Sequence, residues 1–409
     1  MAHLSLAKEK IKVLLLEGIH PTAEANFHEA GYTNIESLSK ALSESELIKK
    51  LEDVRILGIR STTQLTASVI QQAKKLITIG CFCIGTNQVD LNAARDRGIP
   101  VFNAPYSNTR SVAELVFAEM IMLLRGIPEK NAQTHRGVWN KAVPSAHEIR
   151  GKKLGIIGYG NIGSQLSIMA EALGMRVLFY DLVKKLPLGN AQQIDNLNQL
   201  LTESDVVTLH VPETPATKGM MGTEQFSLMK QGSVLINASR GTVVDIDALT
   251  HALESKKLFG AAIDVFPKEP HSKDDPFTSP LCSFDNTILT PHIGGSTMEA
   301  QANIGEEVAQ KLIKYSDNGS TLSAVNFPEV SLPSHPGSHR LINIHKNIPG
   351  IISKINRVFS EKSINISGQY LRTNEAIGYV VIDVDAVYSE IALQELRQIE
   401  GTIRTRVLF

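Results

Sequence analysis

Cysteine is scarce in this chain, with three in 409 residues. That is too few for a disulfide framework, and the tight spacing of Cys81 and Cys83 suits neither a zinc knuckle nor a redox CxxC pair, which leaves buried thiols of a reducing compartment. An excess of one charge is also missing: 41 basic residues face 42 acidic ones, a formal net charge of -1. No global basic field therefore points to nucleic acid or to an anionic membrane, and a charged substrate has to be met locally. Long apolar runs are absent too. The longest, Val112 to Leu124, is interrupted by Glu114 and Glu119 and is too short to span a bilayer. The first residues, MAHLSLAKEKIK, are basic but lack the apolar stretch of a signal peptide. A cytoplasmic protein is expected, with no metal site assigned and no solenoid repeat.

What the chain does contain is alternation. Its length suggests two or three domains, and 43% hydrophobic residues with only 5% aromatics and 29 glycines suit an α/β enzyme. Residues 11 to 103 alternate strand-like runs (IKVLLLEG, ILGIRS, ITIGCF) with helical patterns, the rhythm of βαβ units on a parallel sheet. A capping box from Ser111 to Glu114 is expected to open a long amphipathic helix ending near Arg125. A second alternation starts after residue 151, with strands expected at LGIIG, RVLFYD, VVTLHV, SVLINAS, AAIDVF and TILTPH. The predicted fold class is α/β: two doubly wound, Rossmann-like domains flanking a cleft, where ligands usually bind. The stretch 331–339, SLPSHPGSH, is a linker by composition. Beyond it the pattern reads βαββαβ, with a helix expected from Pro349 to Glu361, so the chain closes on a small α+β module.

GKKLGIIGYGNIG, residues 151 to 163, is a strand running into a dinucleotide fingerprint. Gly158 permits the tight turn, Gly160 lets a pyrophosphate approach the backbone, and Gly163 lets helix pack on strand. Asp181 follows at the end of RVLFYD, where a carboxylate accepts hydrogen bonds from ribose hydroxyls and repels a 2'-phosphate, favouring NAD over NADP. Arg240 in INASRG, Glu269 in DVFPKEP and His292 in TPHIGG each follow a strand, at the edge where ligands bind. An arginine there can hold a carboxylate. A histidine beside a carboxylate is a proton donor whose charged form is stabilised. Singly, each reads as a surface arginine, a solvated glutamate or a capping histidine; their joint placement after successive strands tips the balance.

On GIIGYGNIG, INASRGTVVD, AAIDVFPKEP and LTPHIGGST, in order and spacing, the chain resembles the D-isomer-specific 2-hydroxyacid dehydrogenases, in the bacterial form that carries a C-terminal ACT module. The resemblance covers essentially the whole chain. It implies a discontinuous substrate-binding domain (1–107 and 295–333), an NAD-binding domain (108–294) and an ACT-like regulatory domain (334–409). It implies Arg240, Glu269 and His292 as the catalytic set. NAD contacts are implied from Gly158, Gly160, Asn161, Ile162, Gly163, Asp181, Ala238, Ser239, Arg240, Asp264, His292, Ile293, Gly294 and Gly295. Substrate contacts are implied from Arg60, Ser61, Ile84, Gly85 and Asn108, with Arg60 facing a phosphate. The implied activity is NAD-dependent oxidation of 3-phospho-D-glycerate to 3-phosphooxypyruvate, opening L-serine biosynthesis, with slow reduction of 2-oxoglutarate as a side activity. L-serine is the implied effector, bound by His345 and Asn347 of the HKNIPG loop and by Asn365 of a paired module in a homotetramer. Gly294, Gly295, Pro336 and Gly337 are the candidate hinges. Another D-2-hydroxyacid dehydrogenase, or a non-enzymatic NAD-sensing protein on the same fold, stays open as an alternative.

Overall fold

The structure, a computed structural model, describes residues 6–142, 146–270, 275–335, 337–385 and 389–408; Pro336 lies outside them. The chain divides into two compact units, Met1–Ser107 with Gln301–Phe409, and Asn108–Ala300.

In the first unit, β1 (Val13–Leu15), β2 (Ile35–Ser37), β3 (Ile56–Ile59), β4 (Thr78–Cys81) and β5 (Val101–Asn103) form a parallel sheet ordered β2-β1-β3-β4-β5. Both faces are covered, which explains continuous apolar runs in place of alternation: Val13 and Leu15 enter one core cluster and Leu14 another. The edge strand β2 has no place in the expected pattern, because it is short and only partly buried.

The second unit begins with the helix Thr109–Leu124, which buries Val112, Val116, Met120 and Leu123 along one stripe. The expected capping box is not there. The helix starts three residues earlier, at the Asn108 cap, so Ser111 lies inside it, its hydroxyl 2.8 Å from that of Thr297, and Glu114 pairs with Arg110. Seven parallel strands follow: β6 (Lys153–Ile157), β7 (Arg176–Tyr180), β8 (Gln192–Gln193), β9 (Val206–Leu209), β10 (Ser233–Asn237), β11 (Leu258–Ile263) and β12 (Thr287–Leu289). Their order, β12-β11-β10-β9-β6-β7-β8, reverses between β6 and β9. That switch point opens a crevice at the carboxyl ends of the strands.

The C-terminal sheet comprises β13 (His339–Lys346), β14 (Ile366–Thr373), β15 (Ile377–Val384) and β16 (Thr402–Leu408), antiparallel in the order β14-β15-β13-β16. The helix expected from Pro349 begins at Ile351, because Gly350 at its cap is left-handed, with φ 82°. The helices Ile351–Glu361 and Ser389–Gln398 cover one face of this sheet through Ile355, Phe359, Leu393 and Leu396. The other face is not left free by the linker: Ile342, Ile344, Tyr379 and Val381 share a core with Val13, Phe27, Phe102 and Leu312 of the first unit. Arg340, fully buried, locks the junction. It forks onto Asp383 at 2.6 and 2.7 Å and donates to the carbonyls of Asn318 and Pro333, so this buried charge is both paired and hydrogen-bonded.

Candidate active site

Two of the three fingerprint glycines are required by close contacts within the turn, and the third leaves space open. Gly158 takes φ 93°, and a Cβ there would stand 2.3 Å from the carbonyl oxygen of His210, across the switch point. A Cβ on Gly163 would strike the Gly158 carbonyl at 2.5 Å, whereas one on Gly160 meets nothing within 4 Å. The open position fronts the helix Asn161–Ala172, whose first free N–H groups come from Asn161, Ile162 and Gly163. Asp181 lies one residue past β7 and accepts the backbone N–H of Tyr159 at 3.0 Å and of Val183 at 3.2 Å. A ribose brought to the end of β7 would meet a fixed carboxylate. His210, which sequence reasoning missed although LHVP follows a strand, borders the same crevice. Burial holds its pKa down to about 4, so its ring is neutral.

Around the ends of β10, β11 and β12 the expected residues come together. Asp264, 2% exposed, accepts the Thr290 hydroxyl at 2.6 Å, the Ile293 N–H at 2.8 Å and the Gly294 N–H at 2.9 Å. Its carbonyl accepts the His292 N–H at 2.8 Å. These bonds hold His292 at φ 55°, a left-handed geometry of the kind that persists only where the surroundings over-determine it. They also leave its Nδ1 2.9 Å from Glu269 Oε2. Glu269 Oε1 accepts the Phe266 N–H at 3.1 Å. The Glu269 hydrogen bond raises the pKa of His292 against a lowering by burial. Burial pushes Glu269 upward, but the bonds from His292 and Phe266 outweigh it and hold the carboxyl below its usual range. Ala238, Ser239 and Arg240 form the turn after β10; buried Asn237 closes it by accepting the Ser239 N–H and hydroxyl and donating to the Arg240 carbonyl. Arg240 donates to the Ser239 carbonyl at 2.6 Å. Asn108 belongs to this unit as well, its side-chain amide lying against Gly295.

In the first unit, Arg60, Ser61, Ile84 and Gly85 sit on neighbouring loops after β3 and β4. Glu17, with φ 65°, organises the first of them. Its carboxylate accepts the N–H groups of Arg60, Thr62 and Thr63 at 2.9 to 3.1 Å. Gln88 bridges the two loops, donating to the carbonyls of Arg60 at 2.7 Å and Gly85 at 3.3 Å, and Asn103 donates to the Ile84 carbonyl. Neither Glu17 nor Gln88 carries a sequence signal, since each acts by tying backbone.

In the C-terminal sheet, the HKNIPG stretch starts at the end of the first strand, as expected: His345 is the next-to-last residue of β13, fully buried, its ring over Gly378. Its Nδ1 is 2.8 Å from the Lys346 carbonyl, while Nε2 has no partner. Burial lowers its pKa. Asn347 is exposed and donates to the Asn374 carbonyl at 2.7 Å, and Asn365, also exposed, precedes β14. Among the described residues no group of three or more His, Cys, Asp or Glu is placed to hold a metal ion, and no helix is long and apolar enough to cross a membrane.

Residues 117–294 match the family D-isomer specific 2-hydroxyacid dehydrogenase, NAD binding domain, and residues 341–404 match the family AHAS small subunit-like ACT domain. The chain is 64% identical to D-3-phosphoglycerate dehydrogenase of Escherichia coli (strain K12), with 100% of both chains covered. It is 62% identical to the protein of that name from Haemophilus influenzae, with 99% of both covered. With D-3-phosphoglycerate dehydrogenase 1 of Saccharomyces cerevisiae it shares 49% identity over 98% of this chain and 88% of the yeast one. Among solved structures, D-lactate dehydrogenase of Aquifex aeolicus, complexed with NAD and lactic acid, superposes with a TM-score of 0.64 at 29% identity, covering 74% of this chain and 95% of that one.

Proposed function

The chain belongs to the D-3-phosphoglycerate dehydrogenases, within the D-isomer-specific 2-hydroxyacid dehydrogenases, and from that premise we propose how its residues oxidise 3-phospho-D-glycerate to 3-phosphooxypyruvate with NAD, at the opening of L-serine biosynthesis and under feedback by L-serine. The residues present fit the cofactor. The open side of Gly160 leaves room for a pyrophosphate, and the Asp181 carboxylate suits a 2'-hydroxyl and opposes a 2'-phosphate. When bound, the nicotinamide accepts the hydride.

The chain's own groups handle charge and proton. Arg240 binds the substrate carboxylate and orients the 2-carbon. His292 Nε2 takes the hydroxyl proton during oxidation and returns it in the reverse direction, while Glu269 fixes the ring through Nδ1 and stabilises the imidazolium that forms. Asp264 holds the His292–Gly294 backbone beside the cofactor. Arg60 receives the substrate phosphate, and Glu17 presents its loop. The single observation that carries this reading is the 2.9 Å His292–Glu269 pair at the carboxyl edge of an NAD-binding domain.

For regulation, the Lys346 carbonyl beside Nδ1 keeps the proton on that nitrogen, so Nε2 of His345 is a buried lone pair suited to an ammonium donor. The strand β14 is a sheet edge. Pairing it with the same edge of a second copy would bring a partner asparagine towards the HKNIPG loop, which motivates a homo-oligomer, a tetramer, with L-serine at the paired edge.

A substrate panel tests the whole reading. With NADH, 3-phosphooxypyruvate should be reduced with a far higher kcat/KM than pyruvate, glyoxylate or 2-oxoglutarate, and Arg60→Ala should erase most of that preference. Equal turnover of pyruvate would replace the reading with that of a lactate dehydrogenase.

A further inference from the structure

The motif TIRTRVL in β16 puts Arg404 and Arg406 on the same side of the strand. That side continues into Leu408, which is in the core shared with the first unit, whereas Val407 faces the helix layer. Two arginines thus stand where packing calls for apolar residues. They line a cavity of about 360 Å³, into which Arg55, Lys8 and Arg397 also project. Among the described residues, five cations meet one carboxylate there, Asp317. That carboxylate is already engaged, accepting from the Tyr32 hydroxyl at 2.7 Å and from Lys8 at 2.6 Å.

Among the described residues the guanidinium groups have only neutral acceptors or none. Arg404 donates to the Leu76 carbonyl at 2.6 Å, and Arg406 to the Ser316 carbonyl at 3.4 Å while stacking over Tyr315. The Nη1 of Arg406 is buried without a partner, and the Arg55 side chain has no acceptor among the described residues. Folded chains rarely bury cations without counter-charge. Burial, and to a lesser degree Arg406, Arg97 and Arg55, pull even Arg404 down to about 10.

The location separates this cavity from the catalytic edge. Ile11, Arg55 and Ile77 line it and precede β1, β3 and β4, so it opens at the amino edge of the first sheet. Arg60 and Ile84 follow β3 and β4 at the opposite, carboxyl edge.

We propose that this cavity is a second anion site, binding a phosphate-type dianion, either inorganic phosphate or the phosphate of a small phosphomonoester. Several guanidinium forks around one cavity match phosphate oxygens bidentately, and the volume suits a small molecule. Because Arg404 and Arg406 come from the C-terminal sheet while Arg55 and Lys8 come from the segments that lead into β3 and β1, an occupant ties the regulatory module to the amino edge of the substrate-binding sheet and stabilises the docked arrangement by mass action.

The test uses the full-length chain and must set aside phosphate bound at Arg60. Arg60→Ala protein is titrated calorimetrically with inorganic phosphate and separately with glycerol 3-phosphate, at constant ionic strength set with chloride. One saturable phosphate site per chain is expected, weakened at least tenfold when Arg55→Gln or Arg406→Gln is added, with Arg55→Lys retaining most binding. Saturation by inorganic phosphate alone identifies the free ion as occupant; saturation by both probes extends the site to phosphomonoesters. Should a glutamine variant fold poorly, phenylglyoxal labelling of the Arg60→Ala protein, mapped by peptide mass, gives the same answer: phosphate should protect Arg55 and Arg406. No saturable binding in Arg60→Ala protein, undiminished binding in the glutamine variants, or unprotected arginines would overturn the proposal.

Discussion

Replacing Glu269 with glutamine separates the charge of the His292 partner from its geometry. The amide oxygen can still accept from Nδ1 in place of Oε2, so the ring keeps its partner while the negative charge is lost; the Phe266 N–H, which donates to the other carboxylate oxygen, gives up its bond to the amide NH2 that replaces it. In the native site this pair sits 2.9 Å apart, with side chains 53% and 37% exposed. A hydrogen bond to a charged group is worth roughly 1.5–3 kcal/mol against about 0.5–1.5 for a neutral one, and solvent screening at half-exposed groups trims the difference to about 1 kcal/mol. By transition-state arithmetic, that is roughly a fivefold fall in turnover. The sharper signal lies in pH dependence. Glu269 holds the His292 pKa above its usual value. Without the carboxylate, burial and Arg240 pull it down, so neutral His292 persists to lower pH. For glycerate oxidation, which needs the neutral base, the acid limb of kcat/KM moves to lower pH; for oxo-acid reduction, which needs the imidazolium, the alkaline limb moves the same way. Initial rates by NADH absorbance from pH 5.5 to 10 in both directions give the two limbs. Limbs that stay in place, or move in opposite directions, would refute the coupling of Glu269 to the proton on His292.

Three further outcomes are expected. Asp181→Ser should narrow the ratio of NAD to NADP in kcat/KM, chiefly by improving NADP; wild-type protein using both equally would remove Asp181 from cofactor choice. Glu119 is 2% exposed, and burial, with Asp264 nearby, raises its carboxyl pKa from 4.5 to about 8. The folded chain therefore holds a proton that the unfolded chain loses between those values, and stability falls as pH rises through that window. Glu119→Gln should gain on wild type by roughly 3 kcal/mol in denaturant unfolding between pH 5 and 8, and a gap independent of pH would contradict the assignment. L-serine should slow the intact enzyme, and His345→Ala and Asn365→Ala should each lose inhibition while keeping uninhibited rates; serine titrations unchanged in both variants would move the effector elsewhere.

Much of the architecture is legible because it rests on period. Runs such as LGII and VLI are buried on both faces and so stay apolar, and Gly158 and Gly163 each answer a steric need that the structure reproduces. What sequence could not show depends on partners far along the chain. The edge strand Ile35–Ser37 has neither length nor burial to mark it. Ser111 resembles a cap because its spacing to Glu114 is right, yet its actual partner is Thr297. Glu17 orders the Arg60 loop from 43 residues away. The arginines of β16 follow the same rule: alternation reveals that they share a face, and only packing reveals that the face is half-buried beside further cations.

The central claim, that His292 moves the substrate proton while NAD is held independently, is tested most directly by His292→Ala. NADH affinity, read by fluorescence, should change little, and kcat for 3-phosphoglycerate oxidation should fall by about two to four orders of magnitude, the range for a positioned acid-base group. Turnover near that of wild type with NADH binding intact would contradict the account.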